Sequence, residues 1–360
     1  MSAINKDMSA NKNVSVINKF IQNFGWPRII IGLFLLALFI AAPFFGVRVD
    51  TSINDVIVRF GMNAIMVLSM VPMIQSGCGL NFGIPVGLIA GMIGAVVSLE
   101  LKLTGLAGIT VAFLVGIFFA AIFGFFYGLL LNRVKGDEMI IATYVGYSFV
   151  FLMNIMWTVL PFKNPASVQG FKGEGLRITI SVKEYWIHVL SGFGEININK
   201  YLAIPTGMIL LFAVVAIFVW LFFRTKTGTA ITAVGSNPEY ARASGISIDK
   251  MRTISVMLST MIASVGMIVY EQSFGFIQMY NSPMAFTFPS VAAVLLGGAS
   301  VHKATIMNVV VGTFLFQGIL TMTPSVVNSA INIDISEVIR IIVTNGLIVY
   351  ALTRGKRDKE

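Results

Sequence analysis

The sequence predicts an all-α, polytopic membrane protein with about ten transmembrane helices, and two observations carry that prediction. Hydrophobic residues make up 56% of the 360 positions and charged residues only 11%, whereas a soluble domain has about 25% charged residues. Uncharged apolar runs of about 18 residues or more, the length of a membrane-crossing helix, recur along the whole chain. A transmembrane β-barrel would show short alternating segments instead.

The basic residues beside the apolar runs predict the orientation, because short cytoplasmic flanks are enriched in Lys and Arg. Basic residues precede the first span and follow the fourth, sixth, eighth and tenth. An even number of spans therefore places all of them, and both termini, in the cytoplasm. The predicted spans are 29–47, 57–75, 79–98, 105–131, 139–161, 203–223, 253–270, 284–300, 304–323 and 337–353.

These spans divide the chain into three predicted parts. Residues 1–28 form a cytoplasmic segment, in which apolar residues at helical spacing indicate an amphipathic helix on the membrane surface; a flexible lead-in is the alternative. Residues 29–353 form one transmembrane domain, with an external loop at 162–202 and a cytoplasmic loop at 224–252. Residues 354–360 form a basic cytoplasmic tail.

Composition and motifs disfavour several other classes of protein. Cys78 is the single cysteine and there are two histidines, which excludes a disulfide framework and leaves too few ligands for a metal site. The net charge of +9 is assigned to basic loops on one side of a membrane rather than to nucleic-acid binding. His-Glu-x-x-His and Gly-x-Ser-x-Gly motifs do not occur, so we expect no catalytic site and no bound cofactor.

Small residues recur at every fourth position in two consecutive predicted spans. In a bilayer, helices associate through close backbone approach, which such ridges allow. Because the connection between the two spans is short, we expect them to be antiparallel neighbours that pack ridge against ridge. The ridges are Gly79, Gly83, Gly87, Gly91 and Ala95 in one span, and Gly108, Ala112, Gly116, Ala120, Gly124 and Gly128 in the other.

Two distant segments resemble each other and indicate a weak internal repeat. Residues 82–95 (FGIPVGLIAGMIGA) align without gaps with residues 286–299 (FTFPSVAAVLLGGA), and both open a span with an aromatic–proline step. Repeats with interrupted helices are common at the substrate path of transporters. We therefore predict that both segments line a central path; chance similarity is the alternative. The path residues assigned from them are Phe82, Pro85, Phe286, Phe288 and Pro289.

Neutral polar residues within spans are further candidates for the path. Asn81 and Asn154 are assigned to it, although Asn and Gln also join membrane helices by hydrogen bonds. No charged residue falls at the middle of a predicted span, which disfavours a proton-driven carrier and favours a small neutral solute. Weaker candidates are Asn63, Gln75, Gln317 and Asn345.

The stretch AVGSNPEYARASGISIDKMR, residues 233 to 252, contains a short polar helix between two long apolar spans. A helix of about seven residues is unstable alone. We therefore expect it to dock on a cytoplasmic partner; a connector lying on the bilayer surface is the alternative. Its start and stop signals are Asn237 (or Ser236) as cap, Pro238 at the first position, Glu239 at the positive helix end and Gly245 after the last turn.

Four motifs resemble segments of ABC-importer permeases of the ribose and nucleoside type. AVGSNPEYARASGI resembles the Gly-x-Asn-Pro-x-Ala-Ala-x-x-(Ser/Ala)-Gly-Ile pattern of their coupling helix, with Tyr240 where an alanine is usual. GLNFGIPVG is similar to a second element of that family but lacks its acidic residue. DEMIIATYVGYS and VAAVLLGGAS resemble two further segments, and the similarity runs from about residue 56 to residue 350.

The resemblance implies the permease subunit of an ATP-driven importer in the bacterial cytoplasmic membrane. In such importers two permease chains, identical or related, form the channel, two ATPase subunits bind beneath them, and an extracytoplasmic binding protein delivers the solute, here a sugar or a nucleoside. A Gly-x-x-x-x-Gly-Lys-(Ser/Thr) phosphate loop does not occur, so ATP is expected on a partner. The alternative function is an ATP-independent secondary carrier or channel. The residues assigned to coupling are Gly235, Asn237, Pro238, Glu239, Tyr240, Arg242 and Gly245.

Overall fold

The computed structural model describes residues 26–134, 136–168, 175–331 and 335–357. Within these residues the protein is mostly helical, and 8 helices are long and apolar enough to cross a membrane. The prediction of an all-α polytopic membrane protein is therefore confirmed. The predicted surface helix in the N-terminal segment, and residues 358–360 of the predicted basic tail, lie outside the described residues.

The long helices follow the apolar runs of the sequence. They are α1 (Trp26–Ala41, extended by a 3-10 turn at Ala42–Phe45), α2 (Val49–Leu68) continued by α3 (Met70–Gln75), α5 (Gly105–Arg133), α6 (Glu138–Val159), α7 (Thr206–Arg224), α10 (Ile248–Phe274), α12 (Ile306–Ile331) and α13 (Ser336–Arg357). The shorter helices are α4 (Pro85–Glu100), α8 (Lys226–Ser236), α9 (Pro238–Ala243) and α11 (Thr287–Leu296).

Two of the predicted spans, 79–98 and 284–300, correspond to the short apolar helices α4 and α11 rather than to long ones. α4 begins at Pro85, after a non-helical segment over residues 76–84. α11 follows a 3-10 turn at Ser282–Phe286. Proline lacks an N–H and fixes φ, so it suits the first turn of a helix and not its interior.

The chain segments that connect the helices meet at two opposite ends of the bundle. At one end, which we call the coupling end, Arg252 pairs with Glu138 at 3.1 Å and the Gln75 side-chain nitrogen donates to the Ala304 carbonyl at 2.5 Å. These residues flank the predicted cytoplasmic connections.

The loop between α6 and α7, which was predicted to be external, lies at the opposite end of the bundle, where two short antiparallel strand pairs form. Strand β1 (Thr179–Ser181) pairs with β4 (Phe276–Gln278), which directly follows α10. Strands β2 (Ile196–Asn199) and β3 (Leu202–Ile204) form a hairpin. The loop is thereby fixed to the end of α10, opposite the coupling end.

The helices α4 and α5 are close neighbours, as predicted, but their small-residue ridges pack mainly on α10 and not ridge against ridge. A Cβ added at Gly87 would lie 2.6 Å from the Thr260 carbonyl oxygen, and one at Gly91 would lie 2.5 Å from that of Ser264. On α5, Gly124 also faces Thr260. The spacing correctly marked which helix faces allow close approach. It could not reveal that a helix more than 100 residues away in the chain, α10, occupies both faces.

The two segments of the predicted repeat share one arrangement. In the first, α4 crosses α5 so closely that a Cβ at Gly94 would lie 2.2 Å from the Ala112 carbonyl oxygen. In the second, α11 is followed by α12, and a Cβ at Gly312 would lie 1.9 Å from the Ala293 carbonyl oxygen. The segment before α4 comes from the coupling end, whereas the one before α11 comes from the opposite end. The two short helices therefore enter the bundle from opposite sides.

Candidate functional site

The capped polar helix expected from the sequence is present as α9, at the coupling end. The Asn237 side-chain oxygen accepts a hydrogen bond from the Tyr240 amide at 3.0 Å, and Pro238 occupies the first helical position. After the last turn, Gly245 adopts φ +79°, a value that glycine tolerates. The local sequence thus marks both ends of this helix.

The outward face of α9 is polar and available to a partner. Tyr240 is 67% exposed, whereas Ala241 is fully buried against the bundle. Glu239 and Arg242 lie 4.0 Å apart with highly exposed side chains. An exposed pair of this kind contributes only about 0–1 kcal/mol to stability, so these side chains are available for other contacts.

Helix α8, which precedes α9, was not predicted. The Thr225 hydroxyl caps it by accepting from the Gly228 amide at 3.2 Å, and a Thr three residues before such an amide is a recognisable start signal. At its end, Gly235 lies against the backbone of Gln75, where α3 ends. The structure therefore places Gly235 at a junction of two chain segments and not on the exposed face.

The aromatic residues assigned to the path come together where the two short helices begin. The rings of Phe82 and Phe288 are in edge contact, with centroids 5.8 Å apart. Phe286 packs on Tyr270 with centroids 4.8 Å apart. Pro85 and Pro289 lie in the first turns of the helices α4 and α11. The two repeat segments thus meet at their openings.

Asn81 lies next to this contact but makes its hydrogen bonds within the protein. It is fully buried, its nitrogen donates to the Ser259 hydroxyl at 2.8 Å, and its oxygen accepts from the Tyr127 hydroxyl at 3.1 Å. Ser259 in turn donates to the Ser69 carbonyl at 2.6 Å. The network joins the non-helical segment before α4 to α5, to α10 and to the junction of α2 with α3. Sequence reasoning missed Tyr127 and Ser259, because their spacing carries no motif.

Asn154 lies on α6 near the opposite end from α9. Its amide group is 2.9 Å from that of Asn281, on the segment that leads into α11. The neighbouring Tyr280 hydroxyl donates to the Leu176 carbonyl at 2.7 Å, and burial raises the pKa of this phenol above its usual value. Polar groups on α6 and on the segment before α11 therefore lie near the aromatic residues at the start of α11.

The weaker candidates lie apart from one another. Asn63 donates to the Arg59 carbonyl on its own helix at 2.8 Å, and Gln75 bonds to Ala304 at the coupling end. Gln317 is buried within α12, whereas Asn345 is exposed on α13. Among the described residues there is no cluster of His, Cys, Asp and Glu that could hold a metal ion.

Exposed residues distinguish two kinds of helix surface. In the central parts of α5 and α7, every exposed residue is apolar. On α6, by contrast, Tyr144 is 66% exposed and Ser148 is exposed one turn further along. On α13, Asn345 and Gly346 are exposed at mid-helix, and nothing lies within 4 Å of a Cβ added at Gly346.

A profile of the family described as the permease component of the branched-chain amino acid transport system matches residues 52–350. The chain belongs to this permease family. Together with its apolar helices, membership identifies a multi-pass protein of the inner membrane. No solved structure matches the permease.

Three curated relatives illustrate its similarities. NupB of Lactococcus lactis subsp. cremoris (strain MG1363), a nucleoside ABC transporter permease protein, is 26% identical over 230 residues, covering 63% of this chain and 59% of NupB. LsrC of Enterobacter sp. (strain 638), an autoinducer 2 import system permease protein, is 31% identical over 122 residues, 34% of each chain. LsrC of Shigella flexneri is 25% identical over 308 residues, covering 86% of this chain and 81% of LsrC. The match to NupB thus spans less than two thirds of NupB.

Proposed function

We propose that this protein is the membrane permease subunit of an ATP-driven ABC importer. The observation that carries the proposal is α9, a capped six-residue helix whose polar face is exposed at the coupling end of a multi-pass bundle. A helix this short is marginally stable by itself, and its exposed polar face offers a docking surface to a partner. The family match and the names of NupB and LsrC support an ATPase as that partner. The chain itself then acts in transport and not as an enzyme.

Two ATPase subunits and a second permease chain, identical or related, complete the proposed transporter. The exposed polar residues of α6 and α13 support the second permease. An uncovered polar side chain in hydrocarbon is unfavourable, and small residues suit helix–helix contact. α6 touches the 3-10 turn that leads into α11, and α11 touches α13, so these helices bound one continuous side. We propose that the path lies on this side, between the two permease chains.

The proposed solute is small and neutral, a sugar or a nucleoside, delivered by an extracytoplasmic binding protein. The aromatic contact of Phe82 with Phe288 and the amides of Asn154 and Asn281 support this class, because sugars and bases stack on rings and bond to amides. Asn81 and Pro85 are buried next to the Phe82–Phe288 contact, and we propose that they position the wall of the path without touching the solute. A thermal-shift screen of the cognate binding protein against sugars and nucleosides tests the solute class.

The coupling role is tested by replacing Glu239 and Arg242 together with alanine. In the complex reconstituted with its ATPase and binding protein, solute-stimulated ATP hydrolysis is expected to be lost while the permease still inserts. The matched control replaces Arg48 and Asp50, an exposed pair at 3.0 Å at the opposite end, and should leave coupling unchanged. Undiminished stimulation in the first variant contradicts the role of α9. Uptake that continues without any ATPase supports a secondary carrier instead.

A further inference from the structure

A glycine–glycine junction connects the coupling segment to the lead-in of α4. A Cβ added at Gly235 would lie 2.1 Å from the Gln75 carbonyl oxygen and 3.0 Å from the Gly77 amide nitrogen. A Cβ added at Gly77 would lie 3.1 Å from the Gly235 Cα. Such separations are shorter than ordinary contacts of a Cβ, so the two backbones touch directly.

Gly77 stands near the start of residues 76–84, which we call the lead-in segment. The segment is not helical and is largely buried. It ends at Pro85, where α4 begins. Because it has no helical hydrogen-bond ladder of its own, the segment can shift without breaking one.

The far part of the lead-in segment is fixed to the candidate path. Asn81 is held by Tyr127 and Ser259, and the ring of Phe82 contacts Phe288. Phe82 is five positions after Gly77 in the chain, a stretch that at full extension reaches no more than about 18 Å. A short stretch of chain therefore connects the junction to the place where the two repeat segments meet.

The surroundings leave room for displacement on the coupling side. A cavity of about 770 Å³ borders the junction, and its walls include Gly77, Gly235, Ser236, Pro238 and Lys303. The junction is thus supported on one side by packed backbone and open on the other. Because the two backbones are in direct contact, a movement of α9 would shift the lead-in segment with no flexible side chain between them.

We propose that Gly235 and Gly77 are positioning residues that transmit movement of α9 through the lead-in segment to Phe82 at the path. This proposal rests on the proposed importer function. It adds a route that does not depend on tilting of the long helices attached to the coupling loop. It also gives a physical reason for glycine at residue 235, since any side chain there separates the two backbones.

The test is Gly235→Ala in the reconstituted complex with its ATPase and binding protein. We expect the variant to retain ATPase binding and basal hydrolysis, while solute-stimulated hydrolysis and uptake fall by about tenfold, within the usual range of coupling between sites. Two controls should remain near wild type. Ser236→Ala alters the next residue, and Gly32→Ala makes the same change where the nearest atom, on Leu315, is 4.0 Å away. Normal coupling in Gly235→Ala overturns the proposal.

A second measurement uses the wild-type complex and so does not depend on the folding of a variant. On addition of ATP, hydrogen exchange should change together in peptides covering residues 235–246 and 76–84. A change confined to 235–246 overturns the proposed route while leaving the importer function intact. A complex in which neither peptide responds and no ATPase binds contradicts the importer function itself. The two failures are thereby distinguishable.

Discussion

The exposed surfaces of α5 and α7 differ from those of α6 and α13, although all four are long apolar helices. The first pair exposes only apolar side chains at its centre, such as Phe118 at 61% and Phe218 at 54%. The second pair also exposes apolar residues, such as Phe151 and Ile342, but adds Ser148 and Asn345 near mid-helix and Tyr144 one turn away from Ser148. Hydropathy alone classes all four as membrane spans. We interpret this difference as two kinds of exposure in one chain: contact with lipid on α5 and α7, and contact with the proposed path or partner on α6 and α13.

The largest difference between the two surfaces is expected in membrane insertion after an arginine is placed at the centre of each. Phe118→Arg, on the proposed lipid face, should cost about 2.5–3.5 kcal/mol in insertion, or about a hundredfold in correctly inserted protein. Ser148→Arg, on the proposed path side, should insert near the wild-type level because water or a partner can solvate the charge. Quantitative membrane fractionation of both variants measures this. Equal losses would show that the two surfaces face the same environment.

A smaller effect is expected for Asn81, a polar residue inside the bundle rather than on either surface. Asn81→Leu leaves the buried Tyr127 hydroxyl without its acceptor, and an unsatisfied buried group is destabilising by about 1–3 kcal/mol; Ser259 keeps its bond to the Ser69 carbonyl. Tyr127→Phe leaves the buried Asn81 side-chain oxygen without its donor and should destabilise by a similar amount. Thermal unfolding of the solubilised protein compares the two variants. An unchanged unfolding temperature in Asn81→Leu would show that Asn81 serves the path alone.

The smallest effect concerns Asn345 on α13. Asn345→Leu should weaken association with the second permease chain by about 1 kcal/mol, the scale of interhelical hydrogen bonds in membranes, while the single chain remains folded. Förster transfer between labelled permease chains in bilayers, titrated by dilution, measures the association. Leu210→Ala, on the proposed lipid face, is the control. Unchanged association after Asn345→Leu would place this face of α13 in lipid and not at the interface.

Much of the fold could be predicted because local signals specify it. Apolar runs located the spans, and Asn237, Pro238 and Gly245 defined α9 to within a residue or two at each end. The alignment of 82–95 with 286–299 correctly paired the two short helices, whose openings touch through Phe82 and Phe288. These features depend on residues close together in the chain, where capping, proline and hydropathy act.

The remainder depends on contacts between distant segments, for which the sequence contains no local signal. The ridge of Gly87 and Gly91 marks a face but not its partner, which is α10 rather than α5. Likewise Gly235 belongs to the coupling motif in sequence, yet it packs against Gln75 and Gly77, about 160 residues earlier. The exposure of Ser148 could not be predicted, because the helical period of apolar residues does not show which face of α6 another helix covers.

The proposed path beside α6 must be accessible to water. The sole cysteine, Cys78, is buried and is replaced by serine, after which Ser148→Cys and Phe118→Cys are introduced separately into the assembled complex in lipid. A membrane-impermeant maleimide should label Ser148→Cys, at a rate that changes when ATP is added, and should not label Phe118→Cys in any state. Labelling of Phe118→Cys with none at Ser148→Cys would contradict the account.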